Sequence, residues 1–120
     1  MSRVHRLIHK GVPVLHVDLS NLKPGEYAPE FAEAMRVLSV APLKSARVVT
    51  DVSGARFDPG TIAEFERFVR EATPRCAANA VLGVAGMQRV AWVGLKKFFK
   101  CPAELHDSLE AGKDWVATFK

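Results

Sequence analysis

No apolar run in this chain approaches the ~20 residues needed to span a bilayer. The opening stretch MSRVHRLIHKGVPVLHV interrupts its hydrophobic residues with Arg, His and Lys, unlike a secretory signal. A cytoplasmic protein with no transmembrane segment is therefore expected. Low-complexity tracts and repeats are also lacking, and a composition of 48% hydrophobic and 25% charged residues excludes a disordered chain. Cysteine is scarce: Cys76 and Cys101 form no CxxC pair and have no His at ligand spacing, so two separate reduced thiols are expected, with a disulfide or a reactive thiol the alternative. Acidic residues are missing altogether from positions 72 to 103, which hold Arg75, Arg89, Lys96, Lys97 and Lys100. Within a net charge of +4 this asymmetry predicts a basic surface, and charge alone does not choose its partner.

What is present fits one domain over residues 1–120, long enough for a real core and too short for two. RVHRLIHK and VPVLHVDLS read as two strands joined at Gly11, with Pro13 near the start of the second because it lacks a ladder donor. Phe31, Ala34, Met35 and Leu38 make the stripe of a first helix that ends before Pro42, and Ile62, Phe65, Val69 and Ala72 repeat it in a second. ARVVTDVSG and NAVLGVAG read as strands buried on both faces. MQRVAWVGLKKFFK reads as a third helix, AELHDS as a short edge strand and SLEAGKDWVATF as a closing helix. The order β-β-α-β-α-β-α-(β)-α predicts an α/β domain whose sheet is mostly parallel, with an antiparallel first strand and helices packed on the sheet.

Two places carry candidate sites. Asp18 and Asp51 recur in HVDLS and VTDVS at the carboxyl ends of two strands, the edge where open α/β sheets hold ligands. With Ser53, and with Gly86 and Arg89 from GVAGMQR, they make a candidate strand-end crevice. Turn and capping roles compete with that reading for both aspartates. GVAGMQR follows a strand and opens a helix, so its amides are placed to bind an anion. It lacks the third glycine of a dinucleotide fingerprint and the Lys-Ser/Thr of a P-loop, so close packing is the alternative. Asp58 before Pro59 is the N-cap and N1 pair of the second helix. His5 and His9 stand about 13 Å apart on one strand face, too far for a shared metal, and read as solvated. His16 and His106 have no identifiable nucleophile beside them, so no metal, cofactor or catalytic residue is expected.

The third helix is the other place. Met87, Val90, Ala91, Gly94, Leu95 and Phe98 form an apolar arc, and Trp92 and Phe99 widen it to about 200°, roughly twice one core-facing stripe. Lys96 and Lys100 flank the extension. Trp92, Leu95, Lys96, Phe99 and Lys100 are thus a candidate surface for a protein partner, an apolar ligand or anionic lipid. Burial of the same aromatics by Trp115 and Phe119 of the closing helix is the competing expectation.

DVSGARFD, AVLGVAGMQRV and LEAGKDWV, in this order and spacing, resemble the STAS superfamily, and within it the SpoIIAA-like branch related to CRAL-TRIO-type lipid-binding domains. The resemblance runs from about Arg3 to Phe119. It implies a non-catalytic regulatory module that binds a protein partner or a second copy of itself, with nucleic acid an unexpected partner. In that family a switch serine lies in a loop reading roughly Asp-Ser-Ser-Gly. The matching positions here are Asp58, Pro59, Gly60 and Thr61, so the switch serine is absent and Thr61 is out of register. Gly112 stands where the branch tends to have alanine, at a cost of about 1 kcal/mol in helix stability.

Overall fold

The structure, a computed structural model, describes residues 3–86 and 88–119. Met87, part of the expected apolar arc, lies outside them. β1 (Val4–His9) and β2 (Val12–Asp18) form an antiparallel hairpin, with Pro13 one residue into β2 opposite Ile8. Lys10 and Gly11 turn the chain with φ of 52° and 77°, the primed-turn geometry whose twist matches the flanking strands. The chain then alternates through α1 (Ala28–Leu38), β3 (Ala46–Asp51), α2 (Pro59–Ala72), β4 (Cys76–Leu82), α3 (Gln88–Lys96), β5 (Ala103–His106) and α4 (Leu109–Thr118). The sheet order is β1-β2-β3-β4-β5, parallel from β2 onward.

Several boundaries differ from the sequence expectation, among them the ends of β3 at Asp51 rather than Gly54 and of β4 at Leu82 rather than Gly86. β4 begins at Cys76 rather than Asn79, since Cys-Ala-Ala carries no β-branched or aromatic signal. α3 stops at Lys96, four residues short of the expected end. Its last turn tightens through Phe98 N–H to Leu95 O (3.0 Å) and Phe99 N–H to Lys96 O (3.1 Å). Residues 97–102 are irregular and lead through Pro102 into β5.

Successive right-handed crossovers put α1, α2 and α3 on one face of the sheet, and α4 covers the other. On the three-helix face Tyr27, Phe31, Phe57, Phe65 and Phe68 make an aromatic core, with Phe31 stacked on Phe68 at 4.5 Å and edge-on to Phe65 at 4.9 Å. Tyr27 is wholly buried. Its hydroxyl donates to Arg56 O (2.9 Å), and burial pushes its pKa up to about 12. α2 is capped as expected: the Asp58 carboxylate accepts from Thr61 N–H at 2.7 Å, a bond that holds the carboxyl below its usual range.

On the opposite face Val14, Val49, Ala80 and Leu82 pack under Val116, and Arg47 donates to Val116 O and Phe119 O, closing the carboxyl end of α4. Gly112 has a reason here that the sequence did not show. A Cβ at Gly112 would lie 3.1 Å from Leu82 Cδ2 and 3.3 Å from both Ala80 Cβ and Val49 Cγ1, so the missing side chain lets α4 sit close on the sheet.

Candidate functional site

The strand-end crevice is filled by the chain itself. Asp18 and Asp51 are Cα partners across β2 and β3, so the topology does bring them together. Each carboxylate, however, is turned to its own loop. Asp18 Oδ1 accepts from Ser20 N–H (3.0 Å) and Ser20 Oγ–H (2.5 Å), with Arg3 at 3.7 Å, and Asp51 Oδ1 accepts from Ser53 N–H (2.9 Å). Partial burial pushes the Asp18 carboxyl up, but the Ser20 hydrogen bonds and Arg3 outweigh it and hold the group below the usual carboxylate range. The loops themselves are laced: Leu19 N–H donates to Asp51 O (2.8 Å), Asn21 N–H to Ser53 O (2.9 Å) and Val52 N–H to Leu82 O (2.9 Å).

The closest approach is at Gly83, with φ of 80°, where an added Cβ would stand 2.5 Å from Ser53 Cα and 2.6 Å from Ser53 N. The strand order agrees with this packing. Ligand crevices of open α/β sheets form where the order reverses, and here each parallel strand simply lies beside the next.

Gln88 occupies the remainder of that edge, and nothing in the sequence singled it out. Its Nε2 donates to Val52 O (3.1 Å) and Ala55 O (2.5 Å), and its Oε1 accepts from Ala85 N–H (3.3 Å). The first orphan amide before α3 is thus taken by a side chain, as in a capping box. Arg89 and Gly86 are exposed, and among the described residues no ion pair joins Arg89 to Asp18 or Asp51.

The α3 side is different. Trp92, Leu95 and Phe99 line one cavity with Phe57, Val81 and Val84, closed below by a buried Thr50 hydroxyl that donates to Asn79 Oδ1 (3.1 Å). Trp92 and Phe99 are half-buried, with ring centroids 5.7 Å apart. The expected cover by the closing helix does not occur, because Trp115 and Phe119 pack with each other at 5.2 Å on the other face of the sheet. The apolar arc is also redistributed: Ala91 and Leu95 face the core, while Val90 and Val93 are 77% and 73% exposed. Helical spacing counted Val90 and Gly94 as inward, but both lie on the solvent side. Phe98 turns inward past the helix end, with the Arg70 guanidinium 4.4 Å from its ring centre. Lys96, Lys97 and Lys100 remain exposed beside the cavity.

The cavity measures about 50 Å³. An apolar cavity of ~150 Å³ accommodates benzene, so any ligand larger than a few heavy atoms must displace an aromatic side chain. Phe99 lies on the irregular segment after α3, and Trp92 packs beside it in the cavity wall.

The histidines depart from expectation in part. His9 is not solvated; its Nε2 lies 2.6 Å from Asp114 Oδ1 and ties β1 to α4, with Lys10 Nζ at 3.0 Å from the same oxygen. His5 and His16 pair across the hairpin at 5.7 Å, and burial pushes the His16 imidazole below its ordinary value. Among the described residues no three His, Cys, Asp or Glu side chains are placed to hold a metal. The two cysteines, expected to be separate, both pack in the core cluster of the three-helix face, where the neighbouring Cys76 thiol draws Cys101 down to about 7 and Cys101 together with burial pushes Cys76 up. That proximity comes from strand register, which 25 residues of intervening sequence conceal.

A five-stranded sheet with an antiparallel first strand, three crossover helices on one face and a closing helix on the other is a SpoIIAA-like α/β fold. The crystal structure of an uncharacterized DUF3478-family protein from Shewanella loihica PV-4, described as having a SpoIIAA-like fold, matches with a TM-score of 0.75 over 94% of this chain and 91% of that one, at 10% identity. The likeness is one of fold. No protein-family model and no curated protein matches the chain. No helix among the described residues is long and apolar enough to cross a membrane.

Proposed function

We propose that residues 1–120 act as one non-catalytic binding domain whose recognition element is α3 with the cavity beneath it, and that the ligand is an apolar molecule with an anionic end, a free amphiphile or an anionic lipid. The observation carrying this reading is the juxtaposition of an apolar cavity gated by Trp92 and Phe99 with exposed Lys96, Lys97 and Lys100. Hydrocarbon entering between the two rings leaves water, and the lysines attract the charged end. A non-catalytic role is supported by the local engagement of Asp18 and Asp51, whose carboxylates cap their own loops. Native mass spectrometry of freshly purified protein tests the reading. An adduct that is lost on Trp92→Ala supports it; clean protein that also fails to take up added long-chain fatty acid or anionic vesicles contradicts it.

A second reading, a protein partner or a second copy of the chain in a regulatory role, is favoured by exposed Val90 and Val93 on the outer side of α3. Binding that survives Trp92→Ala but fails on Val93→Glu would select it.

A further inference from the structure

A parallel β4 would normally send Cys76 to the same face as Ala78, Ala80 and Leu82, beneath α4. It does not. The register against β3 passes from Ala46↔Cys76 directly to Arg47↔Ala78, so Ala77 is an extra residue in β4. Such a bulge re-aims a side chain, and here it turns Cys76 into the core cluster of the three-helix face, where Cys101 also packs. The β4–β5 ladder supplies the other half of the arrangement. Asn79 is the partner of Ala103, and Asn79 N–H donates to Pro102 O at 3.0 Å, which sets Cys101 diagonally across from Cys76. On an ideal parallel ladder, with ~4.8 Å between neighbours and ~3.3 Å per residue, such a diagonal is about 5.8 Å, inside the ~4.4–6.8 Å between Cα atoms that a disulfide accepts.

Thr73 fixes the second sulfur. Its hydroxyl accepts from Lys100 N–H at 2.7 Å and reaches Cys101 Sγ at 3.5 Å, while Cys76 Sγ–H points to Ala72 O at 3.5 Å. Cys101 is half-buried and Cys76 is 3% exposed, an attacking thiol in reach of solvent above a sheltered resolving one.

We propose that Cys76 and Cys101 form a thiol–disulfide site that hydrogen peroxide closes. Cys101 releases its proton to solvent, the thiolate attacks one peroxide oxygen, the O–O bond breaks, and the departing hydroxide takes up a proton from solvent to leave as water. Cys101 is then a sulfenic acid. The Cys76 sulfur attacks the Cys101 sulfur, the S–S bond forms, the S–O bond breaks, and the hydroxyl leaves with the Cys76 proton as a second water. Two thiols are oxidised by two electrons and one peroxide is reduced to two waters. The proposal does not rest on the α3 ligand.

Reduced full-length protein treated with hydrogen peroxide, then examined by intact mass and non-reducing peptide mapping, tests the proposal. The expected product is monomer lighter by two hydrogens, with a Cys76–Cys101 linked peptide and neither thiol available to iodoacetamide. Cys76→Ala should strand the oxidation at Cys101 as a sulfenic acid that dimedone captures, and Cys101→Ser should leave Cys76 reduced. A measurement that needs no variant is the pH profile of Cys101 alkylation, expected to reach half its limiting rate near pH 7, against roughly 8.5 for an ordinary thiol. Wild-type protein that keeps both thiols, or links only between chains, overturns the proposal.

Discussion

Replacing Gly83 with alanine is the sharpest probe of the filled strand-end edge. Two costs add at this position. Gly83 has φ of 80°, where a side chain costs about 1–2 kcal/mol. The new Cβ would also stand within 2.6 Å of Ser53 backbone atoms, which cannot rotate aside as a side chain can. Forcing packed atoms apart costs about 1–3 kcal/mol, so Gly83→Ala should lose about 2–5 kcal/mol. Gly86 is the matched control, with φ of 57° and nothing within 4 Å of an added Cβ; its alanine variant carries the backbone cost alone, about 1 kcal/mol. Urea unfolding measures both. With a slope of about 1–3 kcal/mol per molar, the Gly83 midpoint should fall by roughly 1 M or more while the slope stays unchanged. A Gly83→Ala midpoint equal to that of Gly86→Ala would refute the close packing of the loops and reopen the crevice as a site.

Removing the α2 cap by Asp58→Ala should cost about 0.5–2 kcal/mol and leave ligand uptake intact; unchanged stability with lost binding would make Asp58 a ligand residue. Because burial depresses His16 in the fold, the unfolded chain binds more protons as pH falls through the ordinary value of 6.5, and stability should drop from there downward. His16→Gln should flatten the fall of the urea midpoint below about pH 6.5, and an unaltered slope would remove His16 from the account. Thr61, the hydroxyl among the positions that match the switch loop, is 1% exposed. Phosphopeptide mapping of the folded protein after kinase treatment should find it unmodified, and stoichiometric phosphate there would show that α2 opens at its start.

Much of the fold was legible because strand and helix periods alternate cleanly and the turns carry their own chemistry, as at Gly11 and Asp58–Pro59. The candidate sites were read less well, for reasons that lie in three dimensions. The pairing of Asp18 with Asp51 follows from parallel register, but their capture by Ser20 and Ser53 is a local contest that spacing does not decide. Helical spacing assigned Val90 inward because it counted every apolar residue of the stripe; the face that is buried centres on Ala91 and Leu95 and leaves Val90 and Val93 outside. Gln88 looked like any polar helix residue until the loops after β3 and β4 met beside it. The Cys76–Cys101 proximity depends on a one-residue bulge at Ala77, for which an Ala-Ala pair gives no signal.

Tryptophan fluorescence tests the α3 reading most directly, because the chain has only two tryptophans and they lie on opposite faces of the sheet. A Trp115→Phe variant leaves Trp92 as the sole indole. Titrated with anionic vesicles at low salt, its emission should shift to the blue and brighten as the ring leaves water. Added salt or Lys96→Glu should weaken the response, at roughly 1 kcal/mol per basic residue near the surface, and neutral vesicles should give little. An emission spectrum that stays unchanged with anionic vesicles at low salt, and with long-chain fatty acid as well, would contradict the assignment of α3 and its cavity as the recognition element.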